Sequence, residues 1–228
     1  MKKIGLVGGI SWVSTIEYYK LINEGIHHKL GGLNYAECLI HSLNFGDVQK
    51  IGWHNSYNLL LGACLNLQKG GTEAIVLCAN TAHLFIDELQ EGIQIPIIDL
   101  VLETVKEIKN QKLKKVGVLG TQFTMEMDFF KEKLKTNGIE TLIPEEEATR
   151  IFIQKTLKEE LGKGVFNTNT KKEYLSIINK MIANGAEGIV LACTEIPLMI
   201  TSNDVAVPIF NTTFIHSKAA VNFALAIN

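Results

Sequence analysis

Cys193 closes an apolar run, Gly188-Ile189-Val190-Leu191-Ala192, and is followed at once by Thr194 and Glu195. A run of that kind reads as a buried strand, and strand ends are where parallel sheets display their chemistry. A thiol there can take a proton as thiolate and return it as thiol. A helix start at Thr194 is expected to lower the thiol pKa through the helix dipole and local N–H donors. Without that setting Cys193 is a small apolar core residue, and the residues alone leave both readings open.

A matching segment lies earlier, at Leu77-Cys78-Ala79-Asn80-Thr81-Ala82-His83. An internal offset of 114 makes Ala79 the counterpart of Cys193 and Cys78 the counterpart of Ala192. Successive strand side chains point to opposite faces, so Cys78 and Cys193 should not present their thiols equivalently. Asn80 and Thr81 offer amide and hydroxyl groups to a carboxylate, or else form the turn that starts a helix. His83 reads first as a packed or hydrogen-bonded residue. Two further loops carry hydroxyls beside glycines: Gly8-Gly9-Ile10-Ser11 and Gly120-Thr121. Ser11 and Thr121 are candidate anion contacts, with helix capping as the plainer role.

Strand-like runs at 3–7, 36–42, 74–79, 95–98, 115–119, 139–143, 187–193 and 207–210 must position these groups. Helical spacing separates them, as in Leu60-Ala63-Cys64-Leu67 and Tyr174-Ile177-Ile178-Met181-Ile182. The chain also repeats itself. Lys2-Lys3-Ile4-Gly5 returns as Lys114-Lys115-Val116-Gly117, Gly71-Thr72-Glu73 as Gly185-Ala186-Glu187, and Ile95-Pro96-Ile97 as Val207-Pro208-Ile209. The pattern predicts an α/β protein of two pseudo-symmetric lobes, each a parallel sheet flanked by helices, with the active site in the cleft between them. The expected lobes are 1–98 with 207–228, and 99–206.

A net charge of −2 gives no electrostatic footprint for nucleic acid or an anionic membrane. No apolar run reaches the ~18 residues a membrane span needs, and the N-terminal one is too short for a signal peptide. Cys38, Cys64, Cys78 and Cys193 lack zinc-ligand or disulfide-scaffold spacing, so no metal is expected and a reduced, cytoplasmic setting is. Gly5-x-x-Gly8-Gly9 is not a dinucleotide fingerprint.

Taken together, Gly8 to Thr15, Tyr18-Tyr19, Asn80 to His83, Gly120-Thr121 with Thr124-Met125-Glu126, Cys193-Thr194-Glu195 and Ile215-His216 resemble the aspartate/glutamate racemase family. The resemblance is closest to its broad-specificity amino-acid racemase branch. It implies racemisation of an amino acid without cofactor, by two cysteines that flank the α-carbon, in a homodimer. Cys193 matches the second family cysteine. The first is replaced by Ala79, which leaves water, Thr81 or a displaced Cys78 to serve the other face. Ser11, Asn80, Thr81, Thr121 and Thr194 are expected to hold the substrate's carboxylate and amine. Lys163 matches a lysine of some aspartate racemases; pointing inward it favours acidic substrates, pointing to solvent neutral ones. Arg150, the only arginine, follows the acidic run 145–147 and reads as a solvated surface pair. A single-cysteine decarboxylase or isomerase, or a catalytically weak ligand-binding homologue, are the alternatives.

Overall fold

The repeated strands build two parallel sheets, one in each half of the chain. The computed structural model describes residues 1–226, and its contacts divide into two units: Met1–Leu100 with the segment from His216 onward, and Val101–Ile215. The first unit runs β1 (Ile4–Gly8), α1 (Trp12–Leu30), β2 (Cys38–Ser42), α2 (Phe45–Ile51), α3 (Tyr57–Lys69), β3 (Ala74–Leu77) and α4 (Ile86–Glu91). After α5 (Leu100–Asn110), the second runs β4 (Lys115–Gly120), α6 (Gln122–Glu126), α7 (Asp128–Thr136), β5 (Glu140–Leu142), α8 (Glu147–Glu159), α9 (Thr168–Ala183), β6 (Gly188–Ala192) and β7 (Ile209–Asn211). The last helix is α10 (Thr212–Ala224), which belongs to the first unit from His216.

Strand order is β2-β1-β3 in one sheet and β5-β4-β6-β7 in the other, all parallel. The repeat extends to side chains. Lys3 N donates to Glu73 Oε1 at 3.0 Å, and Lys115 N to Glu187 Oε2 at 3.1 Å. The two lysine ammonium groups pair in turn with Glu37 and Glu140.

Two expectations change. Residues 95–98 make only a bridge, Ile75 to Ile97: Pro96 has no N–H to extend the ladder backwards, and beyond Ile98 the chain turns into α5, with Leu100 N on His83 Nε2 instead of on a strand carbonyl. Residues 207–215 belong with the second unit instead of the first, because β7 pairs with β6. Residues 227–228, the end of the expected first lobe, lie outside the described residues.

Burial on both sheet faces explains the unbroken apolar strands. In the first unit, Ile75, Leu77 and Ala79 pack against Leu60, Ala63, Cys64 and Leu67 of α3. The alternate residues Val76 and Cys78 pack on the other face with Tyr18, Ile22 and Ile26 of α1. In the second unit Tyr174, Ile177, Ile178 and Met181 of α9 cover Ile189, Leu191 and Cys193. Each large side chain so buried stabilises the fold by roughly 2 kcal/mol.

Candidate active site

In the first unit the loop after β1 and the segment after β3 are tied together. Gly9 has φ +82°, and a Cβ there would collide with the Leu43 carbonyl, so only glycine fits the turn. Ser11 caps α1, its Oγ accepting from Ser14 N at 3.3 Å. Its backbone has φ +149°, a region that L residues rarely occupy and one that costs about 1–3 kcal/mol when held. Ser14 Oγ donates to the Cys78 carbonyl at 2.7 Å, which brings the strained serine loop beside Ala79 and Asn80.

Asn80 is 5 % exposed, and neither its Oδ1 nor its Nδ2 has a hydrogen-bond partner. Leaving a buried amide unsatisfied costs about 1–3 kcal/mol, a cost that a ligand's carboxylate and amine would remove. Thr81 is buried next to it and does have partners. His83 Nδ1 donates to the Ala79 carbonyl at 3.1 Å, while Leu100 N donates to its Nε2 at 3.3 Å. Both ring nitrogens are therefore occupied in a neutral imidazole, and His83 is a support for the Ala79 backbone.

Cys78 is not displaced toward this loop. Its thiol lies against the Val76 carbonyl at 3.8 Å in the α1-facing core, with its pKa pushed up by burial and then by Cys38. A thiol in that state supplies no proton at the position of Ala79.

In the second unit Thr121 repeats the role of Ser11. It caps α6 by accepting from Thr124 N at 3.3 Å. The next residue is anchored by a network: Gln122 N donates to Gln154 Oε1 at 2.8 Å, and Gln122 Nε2 donates to both oxygens of Glu126. Arg150 completes it, with Nε on Glu126 Oε1 at 2.8 Å and Nη1 on the carbonyls of Pro144 and Glu145, both at 2.7 Å. Its side chain is only 17 % exposed, so Arg150 is a clamp on the Thr121 loop and not the solvated surface pair its sequence context suggests. Lys163 is exposed.

Cys193 sits at the end of β6, 8 % exposed. Its Sγ donates to Glu195 Oε2 at 3.1 Å, and Thr194 Oγ1 donates to the same oxygen at 2.6 Å. Glu195 is itself 6 % exposed. The thiol pKa is pushed well up, first by burial and then by the Glu195 charge and hydrogen bond; the backbone N–H groups of Glu195 and Thr194 oppose this without prevailing. The lowered thiol pKa expected from a helix start is thus reversed. Beyond Thr194 the chain makes a single 3-10 turn, Ile196–Leu198, too short for a helix dipole, and the dominant local charge is a carboxylate. Thr194 spends its only hydroxyl hydrogen on Glu195, so toward a substrate it can only accept. Glu195 is the residue at this strand end to which motif spacing gives no role; its signal is a carboxylate two residues beyond a strand-end thiol.

Among the described residues no group of three or more His, Cys, Asp or Glu is placed to hold a metal, and no helix is long and apolar enough to cross a membrane. The model of the Asp/Glu/hydantoin racemase family matches residues 7–220. The chain belongs to that family. It is 25% identical over 231 residues to the broad specificity amino-acid racemase RacX of Bacillus subtilis strain 168, covering 98% of both chains. A Yersinia pestis protein of solved structure is 37% identical with a TM-score of 0.90, covering 99% of this chain and all of that one. An aspartate racemase homologue from Pyrococcus horikoshii OT3 is 33% identical, with a TM-score of 0.86 over 99% and 100% of the two chains. As in those family members, the α/β halves each carry a parallel sheet flanked by helices.

Proposed function

We propose that this protein is a cofactor-independent amino-acid racemase in which Cys193 exchanges the substrate's α-proton. The observation that carries the reading is the buried thiol–carboxylate pair of Cys193 and Glu195, at a strand end of a racemase-family fold. The unpartnered Asn80 amide supports a role in holding the substrate's α-carboxylate or amine, with Ser11, Thr81 and Thr121 beside the same kind of loop. Thr194 offers an acceptor to the amine. Such groups accelerate the reaction only if they bind the carbanion-like transition state better than the amino acid.

Substrate choice depends on the cations. The one guanidinium is held by Glu126 and two carbonyls, and Lys163 is exposed, so neither of these two cations is a preorganised fork for an acidic side chain. A broad range that includes neutral amino acids fits this arrangement, in keeping with the name of the Bacillus relative. A cytoplasmic homodimer belongs to the same proposal, supported by the exposed apolar row Trp12, Ile16 and Tyr19 along α1; sedimentation measures the assembly.

The test is chiral chromatography of L- and D-aspartate, glutamate, alanine and methionine incubated with wild type and Cys193→Ala. Formation of the opposite enantiomer by wild type alone is expected. No inversion of any of them at high enzyme and long times would overturn the reading.

A further inference from the structure

An amino acid is inverted only if the proton leaves one face of the α-carbon and another arrives on the opposite face. A group that takes and returns a proton on its own side regenerates the starting enantiomer. The two strand ends related by the internal repeat carry unequal proton-transfer groups. In the second unit, Cys193 and Glu195 share a hydrogen bond of 3.1 Å and are both more than nine-tenths buried. In the first unit, the matching position is Ala79, the Cys78 thiol faces the opposite side of the sheet, and both nitrogens of His83 are engaged by backbone.

We propose that Cys193 and Glu195 act as a two-proton reservoir serving a single face, so that the protein exchanges the α-hydrogen of its amino-acid substrate with solvent, with retention of configuration, faster than it inverts that carbon. The inference rests on the racemase-family function proposed for this site and adds Glu195 as the proton partner of Cys193.

The Cys193 S–H proton moves to Glu195, giving a thiolate beside a carboxylic acid. The thiolate takes the α-hydrogen, and the electron pair of the broken C–H bond stays on the substrate as a carbanion. The pair now holds two hydrogens, one from substrate and one of solvent origin. Sulfur is bonded to Oε2 alone, so the carboxylic acid turns to present its second oxygen, accepting through one while it donates through the other, and the two hydrogens trade places on sulfur. Return of the solvent-derived one from the same thiol completes exchange on the same face. Thr194 keeps the carboxylate aligned by its 2.6 Å bond to the accepting oxygen.

Because the first transfer is internal, its position does not depend on solvent pH. The titratable neighbour of the pair is Tyr174, whose hydroxyl is bonded to Thr156 at 3.0 Å and whose pKa is raised by burial; Glu160, which accepts from Thr170, bears on that phenol too. Cys193 and Glu195 both bear on Tyr174 electrostatically, and that phenol stays protonated across the neutral range.

The experiment tracks α-deuterium incorporation by NMR and enantiomer composition by chiral chromatography, on the same samples of alanine, methionine, aspartate and glutamate in deuterated buffer. In wild type, exchange is expected to exceed inversion by about tenfold or more and to vary by less than about twofold between pH 6 and pH 8. In Glu195→Gln the thiol must lose its proton to solvent. Exchange should then rise about tenfold per pH unit until the thiol ionises. Peptide-resolved iodoacetamide labelling should show the Cys193 pKa falling in that variant, because the neighbouring negative charge is gone. A merely structural Glu195 would lower activity without creating the pH slope. Equal rates of exchange and inversion in wild type would overturn the proposal while leaving the racemase function intact. Absence of both would overturn the racemase function itself. The wild-type ratio stands as a test even if Glu195→Gln does not fold.

Discussion

His216 couples the fold of the first unit to pH, and the coupling can be worked out from its contacts. Its Nε2 lies 2.8 Å from the Ile98 carbonyl, which only accepts, so Nε2 carries the hydrogen. The other nitrogen, Nδ1, then accepts from the Tyr18 hydroxyl at 2.9 Å. Tyr18 is fully buried and its pKa is raised by desolvation, so it remains a donor. Protonating His216 would place a charge in this core and set N–H against O–H. Burial first, and then the neighbouring His83 ring, lower its pKa from 6.5 to about 3, with the Ile98 carbonyl and Asp99 opposing.

A base whose pKa is depressed by folding contributes stability above its unfolded pKa and loses it as pH falls. The loss here begins near pH 6.5 and continues to about pH 3. One proton over that window amounts to about 2 kcal/mol between pH 7 and pH 5, approaching about 5 kcal/mol at the acid end. Urea unfolding of wild type and His216→Gln at pH 7, 6 and 5 isolates it, because titrations common to both cancel. The stability difference should shift by about 2 kcal/mol against wild type across that range. A difference that stays constant with pH would refute a buried neutral His216.

The site itself yields three more expected outcomes. Asn80→Ala removes an unsatisfied buried amide, so unfolding free energy should hold steady or rise by up to about 1 kcal/mol while KM rises at least about tenfold; loss of stability with KM unchanged would mean the amide is satisfied within the fold. Ser11→Gly should relieve the positive φ and raise stability by about 1 kcal/mol in thermal unfolding, yet lower kcat/KM, since the hydroxyl and the fixed loop are both lost. Arg150→Lys breaks the fork on Glu126, Pro144 and Glu145 and should cost about 1–2 kcal/mol. Its effect on kcat/KM should be alike for aspartate and alanine; a loss confined to aspartate would place Arg150 on the substrate side chain.

The internal repeat makes most of the fold legible. Matching β1 to β4 and β3 to β6 locates the two sheets, and the alternation of Cys78 and Ala79 puts the cysteine on the wrong face for chemistry from sequence alone. A strand at 95–98 is over-read because its repeat partner after Pro208 does form β7, whereas here the chain leaves the sheet after Ile98 and enters α5. The electrostatics of Cys193 are not legible from spacing. A helix start and a 3-10 turn look alike in Thr194-Glu195-Ile196, but they differ in dipole, and only folding turns the Glu195 carboxylate onto the thiol. Arg150 misleads for a related reason: a guanidinium beside three glutamates looks solvated, while its partners are Glu126, far in sequence, and two carbonyls.

Whether Cys193 moves the α-proton is decided by deuterium incorporation at the α-carbon of alanine, methionine, aspartate and glutamate in deuterated buffer, comparing wild type with Cys193→Ala. Incorporation by wild type that falls at least about a hundredfold in the variant is the expected result. Incorporation that persists in Cys193→Ala would refute the role of this thiol and assign the proton to another group.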